Sequence, residues 1–213
     1  MSITHHPGEE LLLGYASGAA NEAVALLVAS HIALCPACRA KVRGVEAAGG
    51  SLLSDMAPVA LGQNAYQAVL ARLDEPTAAI LRGANLGGDV PVPLQPYAGA
   101  NFADVPWRHI TTGLAHYPLL SKGGTRARLI RAMPGAAVAA HTHRGEEWTL
   151  VLTGSYHDAT GRYAAGDVQS TTPELSHEPK ADDGPVCINL AVTDAPLVFS
   201  GLVHKLIGKL HGF

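Results

Sequence analysis

His141, His143 and Glu147 lie within seven residues of one another and offer two imidazoles and a carboxylate. Two residues apart on a strand, the imidazoles leave the same face. Across the polar turn Arg144, Gly145 and Glu146, a hairpin would fold Glu147 back beside them. Such a set suits a borderline divalent ion such as zinc, iron or manganese. His177, beyond the turn-rich residues 166–173, is the candidate fourth ligand. A second set is His31-x3-Cys35-x2-Cys38. Positions 31 and 35 are offset by only about 40° on a helix and face the same way. Pro36 ends that helix at Cys35, and Cys38 then sits in the first turn of the next, where free amides favour a thiolate. Tetrahedral zinc needs one more ligand, which His5 or His6 can supply. A redox Cys-x-x-Cys would follow a strand in a βαβ setting, whereas here a helix precedes it.

The elements that position these residues divide into two modules. The first eighty-odd residues read as helices. Pro7 opens one carrying Leu11, Leu12 and Tyr15. Asn21 caps a second with Val24, Leu27, Val28 and His31 along one side. A third starts at Pro36 and runs to the Gly49-Gly50 break. Asn64 caps a fourth, with Ala65, Val69, Leu70 and Leu73 as its buried stripe. Residues 83–96 are rich in glycine and proline and read as a linker, not a core element, long enough to let the modules move. Short strands then follow at 107–110, 114–119, 126–133, 161–163, 167–170, 186–192 and 197–199. Such strands, ended by glycine and proline, suit a closed antiparallel barrel or jelly roll. The expected fold class is therefore α+β in two domains: a helical zinc-binding bundle over 1–82, a linker over 83–96, and a β barrel over 97–213.

Gly135-x5-His141-x-His143-x3-Glu147-x6-Gly154 resembles the first motif of the cupins, small jelly-roll barrels with a central metal. Gly166, Pro173 and His177 resemble part of the second, with Leu175 where a glycine is usual. A histidine near the amino terminus followed by His31-x3-Cys35-x2-Cys38 resembles the zinc-binding anti-sigma domain of bacteria. Together the two modules are similar to the ChrR-type anti-sigma factors over nearly the whole chain. The resemblance implies that the helical domain binds an extracytoplasmic-function type sigma factor and keeps it from core RNA polymerase. It implies zinc ligands at His6, His31, Cys35 and Cys38, with His5 the alternative to His6. It implies barrel ligands at His141, His143, Glu147 and His177, holding zinc or another divalent ion. A sensing role for the barrel in oxidative or photo-oxidative stress is also implied.

Composition narrows the alternatives. With 47% hydrophobic and 15% charged residues, the chain is globular and not disordered. A net charge of −3 gives no case for direct nucleic-acid binding. No signal peptide opens the chain, and the longest apolar run, residues 23–35, is too short to span a bilayer. Three cysteines, two of them paired as Cys-x-x-Cys, point to a reducing compartment and to metal, hence to the cytoplasm. Cys187 reads as strand packing, and His109, His116 and His157 as surface residues. Residues 201–213 read as a basic amphipathic helix that packs on its own domain or on a twin chain rather than on a membrane. The main function class is a regulator without catalytic residues. The alternative is a metal-dependent cupin enzyme, a dioxygenase or isomerase, with a helical assembly appendage.

Overall fold

The computed structural model describes residues 3–73 and 87–199. The expected tail helix and most of the first half of the linker fall outside them.

Helices α1 (Glu9–Ala16), α2 (Glu22–Leu34), α3 (Pro36–Ser54) and α4 (Ala65–Arg72) form the amino-terminal module. Asn21 caps α2, its side chain accepting the Val24 N–H at 3.1 Å. The same side chain donates to Thr125 Oγ1 at 3.3 Å, so the cap also ties the helix to the barrel. Asn21→Ala should therefore cost about 0.5–2 kcal/mol and lower the melting temperature by a few degrees, readable by calorimetry. Helix α3 runs through Gly49-Gly50 to Ser54 rather than stopping there. Each glycine lowers helix stability by only about 1 kcal/mol, less than an established ladder of hydrogen bonds can absorb.

The buried residues of α2 include Ala23, Val24, Leu26, Leu27, Val28, Ser30 and His31, on more than one side of the helix. One side meets α1 and α3. The other meets the β sheet, which explains why this helix is apolar nearly all round.

The carboxy-terminal module is antiparallel. Its main sheet has the order β1 (Arg108–Thr111), β2 (Leu114–Lys122), β3 (Thr125–Ala132), β10 (Cys187–Thr193), β5 (Glu147–Thr153) and β8 (Val168–Thr171). Two smaller sheets complete it: β11 (Leu197–Phe199) with β4 (His141–His143), and β7 (Gly161–Ala164), β6 (Ser155–Asp158) and β9 (Lys180–Ala181). Alternation gives the main sheet two different faces. Leu129, Leu150, Leu190 and Val192 join α2 in one buried cluster. The opposite face points into the barrel, with Ala132, Val151 and Cys187 in a second cluster that includes Tyr156 and Tyr163.

Several expectations need correction. Val90 and Leu94 lie in the stretch read as a linker outside the core, yet both are buried. A 3-10 turn at Val92–Leu94 packs them against α2, so this end of the stretch is part of the core. The α4 stripe is not buried, since Val69, Leu70 and Leu73 are all exposed. His116 is buried, because it stands opposite Ile130 on the inward face of β2. His109 and His157 are exposed. Cys187 is buried as strand packing.

Two candidate metal centres

The first centre is built at the junction of α2 and α3. Cys35 ends one helix and caps the next, its Sγ accepting the Cys38 N–H at 3.5 Å. His31 lies one turn earlier on α2. The arm before α1 then crosses the junction and brings His6 Nδ1 to 3.6 Å from Cys35 Sγ and 3.4 Å from Cys38 Sγ. The ligand atoms of these four residues all lie within 4.8 Å of one another. His6, not His5, reaches the cluster; the His5 ring packs on Tyr163 instead.

The protonation pattern fits a metal here. His31 Nδ1 lies 2.9 Å from the Gly166 carbonyl oxygen, so Nδ1 carries the proton and donates it. Nε2 is left with a lone pair, buried and without a hydrogen-bond partner. Burial, then the nearby His6, holds the His31 pKa down at about 4, so the ring stays neutral and able to ligate. Burial and the neighbouring Cys35 push the Cys38 thiol up to about 11. A metal cation bound between the sulfurs would offset this shift and favour the thiolate.

The second centre lies inside the barrel. Its ligands do not come from one hairpin. β4, carrying His141 and His143, pairs with β11, whereas Glu147 heads β5 in the main sheet. His177 is set opposite His141 by two backbone hydrogen bonds of 3.1 Å, each N–H donating to the other's carbonyl. Three elements thus converge on one point, and His141, His143, Glu147 and His177 are all buried with ligand atoms within 4.8 Å of one another.

Hydrogen bonds outside the ligand set orient it. His141 Nδ1 donates to the Ala139 carbonyl at 2.8 Å, and His177 Nδ1 donates to Asp158 Oδ2 at 2.9 Å. Both rings therefore turn lone-pair Nε2 atoms inward, where they stand 3.1 Å apart. His143 Nε2 is 3.2 Å from His177 Nε2 and 3.4 Å from Glu147 Oε2. Converging lone pairs repel unless a proton or a cation lies among them, and a metal ion satisfies all four donors at once. Burial, then His177, lowers the His141 pKa to about 4. Burial, then His141 and His177, lowers that of His143 to about 3. Burial raises the Glu147 carboxyl to about 7, against the pull of Arg128. Asp158 remains a carboxylate: burial works against its charge, but hydrogen bonds from Thr160, Gln169 and His177 hold its pKa at about 2.

These shifts give a signed expectation for the metal-free protein. A depressed histidine contributes stability above its unfolded pKa of about 6.5, and that stability is lost as the pH falls through the folded value. Glu147 has the opposite sign, since its contribution is lost as the pH rises towards about 7. His31, His141 and His143 together outweigh one glutamate, so urea midpoints of chelator-treated protein should fall steadily from pH 7 to pH 5. Metal-loaded protein should change less, because bound imidazoles cannot take up the proton.

The orienting role of Asp158, Gln169, Gly166 and Asp167 was not visible in the sequence, where Gly166 stood out only as part of the second cupin-like motif and of a turn.

Comparison with known proteins agrees with this two-module organisation. Residues 96–194 match the ChrR Cupin-like domain family. The chain is 42% identical over 207 residues to the Anti-sigma-E factor ChrR of Cereibacter sphaeroides, covering 97% of each. Among solved structures it is similar to the anti-sigma ChrR of Rhodobacter sphaeroides, determined in complex with SigE. That match has a TM-score of 0.79 and 41% identity, covering 90% of this chain and 99% of that one.

Proposed function

The chain belongs to the family of ChrR anti-sigma factors, and from that premise we propose that it binds and sequesters an extracytoplasmic-function type sigma factor. Residues 1–82 would form the binding domain, residues 97–213 the sensor, and residues 83–96 the connection between them. A stress signal, oxidative in kind, would act on the barrel and release the partner. The cytoplasm is the place for such a regulator. Among the described residues no single helix is long and apolar enough to cross a membrane; in the bent pair α2–α3, α2 is mostly buried against its neighbours whereas α3 is mostly exposed.

One observation carries the binding role. Leu52, Leu53, Met56, Val59, Leu61, Tyr66, Val69, Leu70 and Leu73 follow one another through the end of α3, the connection and α4, with exposures from 39% at Leu70 to 87% at Val59. Single exposed apolar residues are ordinary, but a run of this length marks an interaction surface. The related ChrR was solved bound to SigE. Co-expression with the cognate sigma factor and isolation of the pair would test the reading. A Val69→Asp, Leu70→Asp chain that stayed folded and still captured the sigma factor at wild-type affinity would overturn it.

Zinc suits the first centre, where two sulfurs and two nitrogens match a closed structural site held by His6, His31, Cys35 and Cys38. The barrel centre, with three nitrogens and a carboxylate from His141, His143, Glu147 and His177, would accept zinc or another divalent ion. When bound there, the ion would supply Lewis acidity. The chain's part is to hold the His141 and His143 imidazoles neutral, anchor His177 through Asp158 and keep the site buried. Elemental analysis should give about two metal ions per chain, and X-ray absorption should show sulfur around one of them. A single equivalent without sulfur scattering would remove the amino-terminal centre. The cupin-enzyme alternative gains nothing from the relatives, since the 42% identical protein is an anti-sigma factor.

A further inference from the structure

The turn between β7 and β8, residues 164–168, belongs to the barrel yet reaches both ends of the helical centre. The Gly166 carbonyl accepts the His31 Nδ1 proton at 2.9 Å. The Asp167 carboxylate accepts two backbone N–H groups from the amino-terminal arm through Oδ1, Thr4 at 2.7 Å and His5 at 2.9 Å. Val168 N–H returns a bond of 3.0 Å to the His5 carbonyl. The arm is thus pinned at the residue before His6, which is the exposed member of the cluster and has no helix to hold it.

The turn is itself rigidly held. Ala164 N–H donates to Asp167 Oδ2 at 2.9 Å, and Gly166 N–H donates to the Val151 carbonyl at 2.8 Å. Gly166 has φ +97°, and a Cβ there would lie 2.6 Å from the Ile3 side chain. Only glycine allows both this backbone and the close approach of the arm. The next strand leads to the barrel centre. Gln169 Nε2 donates to Asp158 Oδ2 at 2.7 Å, and that same oxygen anchors His177.

We propose that Gly166 and Asp167 are positioning residues of the helical metal centre, so that its metal affinity is set by a turn of the barrel. His31 is oriented from the barrel side by a carbonyl. His6 is placed by the carboxylate that fixes its arm. Outer hydrogen bonds of this kind typically change metal affinity by about 10–100-fold when removed. The same β7–β8 segment contacts a ligand anchor at each centre, so a change in the barrel has a short path to the metal that shapes the helical module. The proposal rests on the reading that the cluster of His6, His31, Cys35 and Cys38 binds metal.

Cobalt titration of the full-length chain separates the two claims, because sulfur-to-cobalt charge transfer reports the helical centre and not the sulfur-free barrel centre. Asp167→Ala removes the carboxylate. Thr4→Pro removes the Thr4 N–H and hydroxyl, both donors to Asp167 Oδ1, and leaves the barrel intact, so it decides the matter if Asp167→Ala fails to fold. Both variants should show the charge-transfer band with altered d–d bands and should bind cobalt more weakly at that centre, about tenfold or more for Asp167→Ala. Affinity at the barrel centre should not change. If wild-type protein gives no sulfur-to-cobalt band, the metal reading itself fails. If the band appears but spectrum and affinity match wild type in the folded variants, with only a lower melting temperature, the residues merely dock the arm and the positioning role is overturned.

Discussion

Replacing Cys35 and Cys38 by serine should empty the helical centre and weaken sigma-factor binding by on the order of a hundredfold or more. The size follows from two magnitudes. A structural zinc contributes roughly 10–16 kcal/mol to a small domain that needs it. A whole domain is stable by only about 5–15 kcal/mol. The loss will not fall evenly. α2 keeps its seat on the main sheet, where Leu27 and Val28 are fully buried. α3 is capped by Cys35 and the arm before α1 is held through His6, so these should loosen. The exposed apolar run leaves from the far end of α3, and its placement depends on that helix. Metal content, amide exchange in α1 and α3, and partner affinity by titration calorimetry should change together. Wild-type binding by the double variant in metal-free buffer would count against a structural metal.

The second large effect is on release rather than binding. His141→Ala, His143→Ala or Glu147→Ala should each leave repression intact and abolish or strongly distort induction. Each removes a ligand inside the barrel, on β4 or at the head of β5 and away from α2, so the shared core and the apolar run are untouched. A signal can drive release only if it favours the dissociated state, and a change at the barrel centre that left both states equally stable would shift nothing. Moving the equilibrium from 1:99 to 99:1 takes about 5.5 kcal/mol of preference, within reach of a rearranged metal centre. A reporter on the cognate promoter reads both properties. Normal induction in these variants would end the assignment of sensing to the barrel. Point variants are the cleaner test here, because a chain ending near Arg82 would bare the side of α2 that normally lies on the sheet.

Both clusters of candidate ligands were legible because their spacing is local. Positions i and i+4 on a helix, or i and i+2 on a strand, meet whatever the rest of the chain does. His177 was reached through its motif, though its position depends on a two-bond bridge to His141 from a distant segment. What stayed hidden depends on packing between modules. The stripe of α4 has the spacing of a buried face, and nothing local tells a face that meets its own core from one that awaits another chain. His116 looked like an isolated surface histidine because its burial comes from the pleat of β2 against β3. Asp158 and Asp167 act through bonds spanning 19 and more than 160 residues, which no spacing rule captures.

The burial of Trp148 has an optical consequence. The chain has two tryptophans, and Trp148 belongs to the buried cluster that α2 shares with the main sheet. Trp107 is only partly buried at the margin of the same cluster, its indole N–H bonded to the Phe102 carbonyl at 3.1 Å and its ring under the Arg131 guanidinium at 4.9 Å. With Trp107 replaced by phenylalanine, the remaining indole becomes a built-in gauge of the helix–sheet seam. Water reaching that seam would move its emission to the red, whereas events confined to the exposed apolar end of α3 would leave its colour alone. Parting of the modules could then be timed against partner release in a single cuvette, without any attached dye.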